Sequence, residues 1–453
     1  MYSLTDKYNV PGPRYTSYPA LPYWDKAGFL EKIWRETLVR SFNESNAQDG
    51  ISLYIHLPFC ESLCTFCGCH KRITKRHEVE IPYIRSVLKE WKLYCEIFPS
   101  KPIIKELHLG GGTPTFFTSE NLKLLIRGIL RLANKADTYE FSFEGHPNNT
   151  TKQHLKTLYD LGFTRVSYGV QDYNETVQRA IHRVQPFVSV ANVTQWAREI
   201  GYTSVGHDII YGLPFQTQKH IEETVIKTKS LMPDRLAFYS YAHVPWLKGN
   251  GQRGYKDVDL PTPLERKVQR EIGKALLRKL GYRETGMDHF ALETDNLYHS
   301  SQNGQLHRNF MGYTASKTQL MVGLGVSSIS DSWYAFAQNV KGLEEYQHLI
   351  KSDIIPISKG HILTKEDLVI RKHILNLMCG FKTSWHSEEE RFVGLKSVKE
   401  RLNEMIIDGL LEMDPMEIRV TEIGRPLIRN ICMAFDQFLN DNAQESRQFS
   451  MTA

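Results

Sequence analysis

The chain has 453 residues, 41% hydrophobic and 24% charged, enough apolar content for a large catalytic domain with a smaller one beside it. Its formal net charge of +5 is spread without a basic block, which argues against nucleic acid as a partner. No run of about 18 apolar residues occurs, and the start, MYSLTDKYNV, lacks a basic stretch leading into an apolar one. A soluble, unexported protein with no membrane span is therefore expected. Seven cysteines, four crowded and three scattered (Cys95, Cys379, Cys432), fit a reducing cytoplasm better than a disulfide framework.

In chain order, an N-terminal arm and helix are expected over residues 1–48. Short β-branched and aromatic runs then recur, each followed by a segment with helical spacing: 51–57, 103–109, 138–144, 165–171, 203–213 and 234–244. The intervening helices are predicted at about 80–97, 119–133, 150–161, 173–200 and 218–231. Six βα units in succession imply an α/β fold with a parallel sheet and right-handed crossovers, a doubly wound layer or a complete or partial barrel, over residues 49–250. Residues 251–362 extend it, with a helix at 264–280 and strand-like pieces around 285–290 and 320–329. From 363 to 453 a distinct C-terminal module is predicted: helices at 364–379 and 396–408, a small hairpin, and a helix at 424–439. That order suggests a winged-helix-like fold, and the polar end, NDNAQESRQFSMTA, should be loose.

The stretch Leu57–Lys71, LPFCESLCTFCGCHK, holds four cysteines. Cys60, Cys64 and Cys67 are spaced so that one loop can wrap a compact inorganic core and present three thiolates to it. Cys69 follows Cys67 too closely to reach the same core without an unusually sharp bend. A structural zinc knot using all four thiols is the alternative, but such sites usually pair a second C-x₂₋₄-C across a longer loop, and none is present. Spacing thus favours an iron–sulfur cluster with one iron left open.

In parallel barrels, functional side chains collect at the carboxyl ends of the strands. Here those ends carry Tyr54 and His56, the Gly110–Gly111–Gly112–Thr113–Pro114 turn, Glu144, Gln171 with Asp172, Asp208 with Tyr211, and Ala242 with His243. Taken singly, a triple glycine reads as a tight turn, and Glu144 or Asp208 as a helix cap or a satisfied core carboxylate. No GK[ST] follows the glycines, so a P-loop is excluded. One polar group or glycine turn at every strand end, all on one rim, points to a shared site.

A C-x-x-x-C-x-x-C loop after the first strand and a Gly-Gly-x-Thr-Pro turn after the second resemble the radical S-adenosylmethionine enzymes. More narrowly, KYNVPGPRYTSYP, YIHLPFCESLCTFCGCHK, HLGGGTPT, GVQD, IIYGLP, YAHVP, GMDHFA, LHRNF, GLGVSSIS and RNICMAFD resemble the oxygen-independent coproporphyrinogen III oxidase family of haem biosynthesis. The resemblance runs from the first ten residues to the last helix and implies a partial (β/α)6 barrel of radical S-adenosylmethionine type. It further implies that Cys60, Cys64 and Cys67 hold a [4Fe–4S] cluster whose free iron takes S-adenosylmethionine. One-electron cleavage then yields a 5′-deoxyadenosyl radical that abstracts hydrogen from a propionate β-carbon of coproporphyrinogen III. Loss of CO₂ and an electron leaves a vinyl group, and two such events give protoporphyrinogen IX.

The resemblance also implies two S-adenosylmethionine molecules. Tyr54, Gly111, Glu144 and Ile329 would contact the first, and Phe66, Gly112, Thr113, Gln171, Arg183, Asp208 and Ala242 the second. A reducing donor such as flavodoxin or ferredoxin and a monomeric state are expected. Arg14 in the arm and Arg308 are expected to pair with the substrate carboxylates, against the commoner fate of an arginine in a surface ion pair. Cys69 reads equally as a small buried residue or a part of the pocket. The chain departs from the family pattern at His146, where Glu-x-Asp-Pro is usual, at Gly206 and His207, where an Asn precedes the aspartate by two, and at Met311, where Gln is common. Those departures leave open a radical enzyme acting on another substrate. A haem chaperone on the same scaffold is disfavoured by the N-terminal arm and RNICMAFD, and a zinc-stabilised nucleic-acid module by the charge distribution.

Overall fold

A computed structural model describes residues 4–25, 29, 31–246, 251–441 and 449–452. Most of the expected loose end therefore lies outside the described residues, as do 247–250 of the glycine-rich loop. The centre is a twelve-stranded sheet. Strands β1 (Ile51–Leu57), β2 (Ile103–Gly111), β3 (Asn134–Gly145), β4 (Phe163–Gln171), β5 (Ser204–Tyr211) and β6 (Arg235–Ser240) pair in parallel, each with the next. Their apolar runs suit a sheet covered on both faces; in β1 every residue but Tyr54 is buried. The covering helices are amphipathic: Ser119–Arg131 buries Leu122, Leu125, Ile126 and Ile129, a spacing that lines one helical face.

Past β6 the sheet adds antiparallel strands β7 (Arg283–Gly286) and β8 (His289–Ala291), β8 lying next to β6. At the opposite edge β9 (Met321–Leu324) runs parallel to β1, followed by antiparallel β10 (Ile329–Asp331), β11 (Ala335–Asn339) and β12 (Ile357–Ile362). Seven strands are therefore parallel rather than six, because β9 satisfies the edge that β1 would otherwise leave unpaired. The sheet stays open, with β12 and β7 at its two ends, as a partial barrel.

The single helix expected over 173–200 is two, Glu175–Ala180 and Phe187–Ile200. Pro186 caps the second: it has no N–H for the helical ladder, and the chain turns there. In the C-terminal module, helix Lys365–Gly380, strand Lys382–Ser384 and helix Leu395–Ile407 are followed by the hairpin Leu411–Asp414 and Glu417–Val420, whose second strand pairs with Lys382–Ser384 to make three strands rather than two. The helix expected over 424–439 is also broken, into Ile428–Met433 and Gln437–Asp441, because the Asp436 carboxylate accepts from the Leu439 N–H at 3.0 Å and starts a new turn.

Tyr8, Tyr15 and Tyr18 of the arm are buried in the core of this module with Trp385, Ile431 and Phe435. Arg429 fastens the arm by donating to the carbonyls of Pro13 (2.9 Å), Gly12 and, from Nη1, Met451 (2.8 Å). Backbone bonds from Gly12 to Ser450 (3.1 Å) and from Thr452 to Val10 (2.8 Å) complete a clasp. Among the described residues no helix is long and apolar enough to cross a membrane.

Candidate active site

The cysteine loop leaves β1 at Leu57 and is tied down at both ends. At its base Phe59–Cys60 pairs with Arg72–Ile73, and the turn after β2 donates to it from Gly112 N to Leu57 O (2.8 Å) and from Thr113 N to Phe59 O (3.0 Å). At its tip Thr65 donates to the carbonyls of Ile181 (3.0 Å) and Ala180 (2.9 Å), left without helical partners where helix Glu175–Ala180 ends. The result is a cavity of about 240 Å³ bordered by Cys60, Cys64 and Cys67 together with Phe66, Gly112, Thr113, His146 and Arg183.

All three sulfurs meet donors: Thr113 Oγ1 lies 3.4 Å from Cys60 Sγ, Arg183 Nη1 lies 3.7 Å from Cys64 Sγ, and the Cys69 thiol bonds Cys67. Burial pushes the Cys60 thiol up to about 11, so a metal must displace its proton. The Cys69 thiol, hydrogen-bonded to Cys67, lowers Cys67 to about 6 and is itself raised. Cys69 is not part of the cavity wall. Three sulfurs around a volume rather than a point, with donors aimed at them, fit an iron–sulfur cluster.

The neighbouring strand ends bring in the remaining candidates. Tyr54 O–H donates to His56 Nδ1 (3.1 Å) while His56 Nε2 donates to the His70 carbonyl (3.0 Å), which fixes the tautomer. Gly111 sits at φ +113° against the His56 ring, where a side chain has no room. Glu144 is deep in the barrel mouth, yet 49% of its side chain is open to it. Burial raises its pKa, but the His108 imidazole 3.5 Å away and the Gly111 N–H outweigh this and hold it below the usual carboxylate value. Gln171, at φ +66° and buried, leaves its Oε1 without a partner among the described residues, an acceptor waiting for a ligand N–H or O–H. Arg183 is held by Gly169 O (2.8 Å) and Gln185 Oε1 (3.2 Å). Ile329 opens β10 beside β9, on the β1 side of the sheet.

Asp208 accepts from Ser167 Oγ (3.1 Å) and shares a hollow of about 120 Å³ with Glu144, Arg165 and Met311. Burial and the Glu144 charge push it up to about 7. The two unusual histidines do not meet. His146 borders the cluster cavity, whereas the buried His207 ring bonds Thr194 of the outer helix at 2.9 Å. Arg14 and Ala242 line a third cavity at the ends of β5 and β6. Arg308 is buried, with its guanidinium over the Tyr313 ring at 4.6 Å and donating to the Arg14 carbonyl at 3.1 Å, so it braces the arm. Gln252 links Phe66 to Ala242 through their carbonyls (3.2 and 2.7 Å), a connection with no local sequence signal.

A parallel partial barrel whose first strand feeds a three-cysteine cavity, closed by the glycine turn of the second, defines a radical S-adenosylmethionine protein. Residues 54–227 match the model described as the radical SAM superfamily. The chain is 37% identical to the oxygen-independent coproporphyrinogen III oxidase of Helicobacter pylori strain J99 over 98% of both chains. It is 36% identical to that of Escherichia coli K12, over 99% of this chain and 97% of the relative. A solved structure of the E. coli coproporphyrinogen III oxidase, described as a radical SAM enzyme, superposes with a TM-score of 0.88 at 35% identity, covering 94% of this chain and 98% of that one. The chain belongs to the oxygen-independent coproporphyrinogen III oxidase family.

Proposed function

We propose that this protein converts two propionate side chains of coproporphyrinogen III to vinyl groups by oxygen-independent oxidative decarboxylation, giving protoporphyrinogen IX in haem biosynthesis. The observation that carries this reading is the three-thiol cavity in a chain similar along nearly its whole length to enzymes of that name. Cys60, Cys64 and Cys67 hold a [4Fe–4S] cluster with one open iron. Tyr54, Gly111, Glu144 and Ile329 contact one S-adenosylmethionine, and Phe66, Gly112, Thr113, Gln171, Arg183, Asp208 and Ala242 a second. Together the bound cluster and S-adenosylmethionine supply one-electron reductive cleavage and hydrogen-atom abstraction.

The chain's own groups do the positioning. Thr113 and Arg183 donate toward ligand sulfurs, the ionised Glu144 accepts from a cofactor ammonium or hydroxyl, and the Gln171 carbonyl takes a further donor. The arm, fastened by Arg429 and braced by Arg308, covers the site and excludes water, with Arg14 facing the substrate. Four modules organise the chain, at 1–48, 49–250, 251–362 and 363–453. It works as a monomer in the cytoplasm, reduced by a donor such as flavodoxin or ferredoxin. Anaerobically reconstituted protein given coproporphyrinogen III, S-adenosylmethionine and reductant should form protoporphyrinogen IX, read as protoporphyrin fluorescence after oxidation. Methionine release without a vinyl product would remove the substrate assignment.

A further inference from the structure

The third cavity, about 510 Å³, opens at the carboxyl ends of β5 and β6 beneath the clasp of arm and tail. Four arginines, Arg14, Arg266, Arg270 and Arg429, border it against two aspartates, Asp257 and Asp288. Their donors are not equally available. Arg429 is occupied by the backbone carbonyls of the clasp. Arg266 uses only Nη2, which donates to Ser240 Oγ and Tyr241 O, both at 2.7 Å; this orients the guanidinium and leaves Nε and Nη1. Arg270 uses Nε on Glu271 (3.1 Å) and keeps both terminal nitrogens, although the residue is only 8% exposed. The Arg14 side chain makes no hydrogen bond among the described residues.

Arg266 and Arg270 are four positions apart on helix Pro263–Lys279 and therefore share a face. Gly212 makes room for the first of them: a methyl there would lie 2.8 Å from Arg266 Nε. Guanidinium groups held in place with unused donors beside a cavity they line are ready to take an anion there. The donor fork matches a carboxylate in geometry and charge.

We propose that Arg266 and Arg270, with Arg14 from the arm, form a carboxylate clamp that grips propionates of the tetrapyrrole away from the reacting carbon. This rests on the function proposed above and adds Arg266 and Arg270 to the Arg14 and Arg308 expected from the sequence. A carboxylate could also come from S-adenosylmethionine, since Ala242 borders the same cavity. The two sources are separated by titrating the anaerobically reconstituted holoenzyme and its R266Q, R270Q and R266Q/R270Q variants with coproporphyrin III, read by porphyrin fluorescence, and with S-adenosylmethionine by equilibrium dialysis. Each single variant should raise the porphyrin Kd about tenfold and the pair about a hundredfold, at unchanged iron content and S-adenosylmethionine affinity. R270K, which keeps the charge without the fork and does not touch the Ser240 contact, should fall between. Wild-type porphyrin affinity in the double variant overturns the clamp, as does a loss confined to S-adenosylmethionine. If the wild-type holoenzyme itself neither binds coproporphyrin III nor forms vinyl product, the functional reading beneath it fails instead.

Discussion

Replacing Gly112 with alanine tests whether the glycine turn and the cysteine loop work as one rigid piece. A methyl at Gly112 would stand 2.6 Å from the Pro58 carbonyl oxygen, 2.7 Å from its carbon and 2.9 Å from Phe59 O. All three neighbours are backbone, so no side chain can rotate aside. Regaining an ordinary 3.4 Å contact requires turn and loop to part by about 0.8 Å, an overpacking cost of about 2 kcal/mol. The same movement strains the Gly112–Leu57 and Thr113–Phe59 bonds (2.8 and 3.0 Å), worth about 1 kcal/mol each. It also carries Thr113 away from Cys60. A displacement approaching 1 Å beside reacting groups costs about a hundredfold in rate. Gly112→Ala should therefore bind less iron than wild type after anaerobic reconstitution and form vinyl product about a hundredfold more slowly. Iron and sulfide per chain are measured first, then product by fluorescence. Wild-type iron content together with wild-type turnover would refute the reasoning.

Other outcomes follow from the same geometry. Alanine at Cys60, Cys64 or Cys67 should abolish cluster iron, whereas Cys69→Ala should retain it, by iron and sulfide assay; equal losses in all four would restore Cys69 as a ligand. Asp208 is neutral below and ionised above about pH 7, so S-adenosylmethionine affinity should rise with pH through that value. Asp208→Asn should lose the step, and a pH-independent wild type would contradict it, by equilibrium dialysis across the range. Arg235 donates to Asp295 (2.7 Å) and Glu140 (3.3 Å) below the hollow. Arg235→Met leaves the buried Asp295 without its cation, while Glu140 keeps Arg165 at 2.8 Å, and should cost about 3 kcal/mol in denaturant unfolding.

What is legible in the sequence follows the range of each interaction. Cys60, Cys64 and Cys67 can be read directly because ligand spacing within one loop is local, and β1 to β6 because each carries its own short β-branched and aromatic run, although the exposed first half of β3 lies outside that run. The strand character near 321–324 is also local, but its pairing with β1 is a contact across more than 250 positions and leaves no mark on either segment. Arg183 comes to Cys64 only because the chain breaks before Pro186, a proline that the apolar rhythm of 173–200 outvotes on paper. Arg308 reads as a substrate arginine by its motif; what the motif does not show is that it is buried over Tyr313 and bonded to the Arg14 carbonyl, with its Nε unpartnered among the described residues. Arg266 and Arg270 look like ordinary cations of an amphipathic helix until the fold sets them over Gly212 and under the arm.

The clasp between the arm and the segment at 450–452 imposes an order of assembly. Val10 and Thr452 are 442 positions apart, and joining such distant points in an unfolded polymer costs roughly 5 kcal/mol of entropy. The knot can tighten only after the barrel and the C-terminal module have drawn its strands together, and only once residue 452 has left the ribosome. A nascent polypeptide therefore builds its barrel well before the roof over it, and the cavity beneath stays unclasped until the segment at 450–452 arrives.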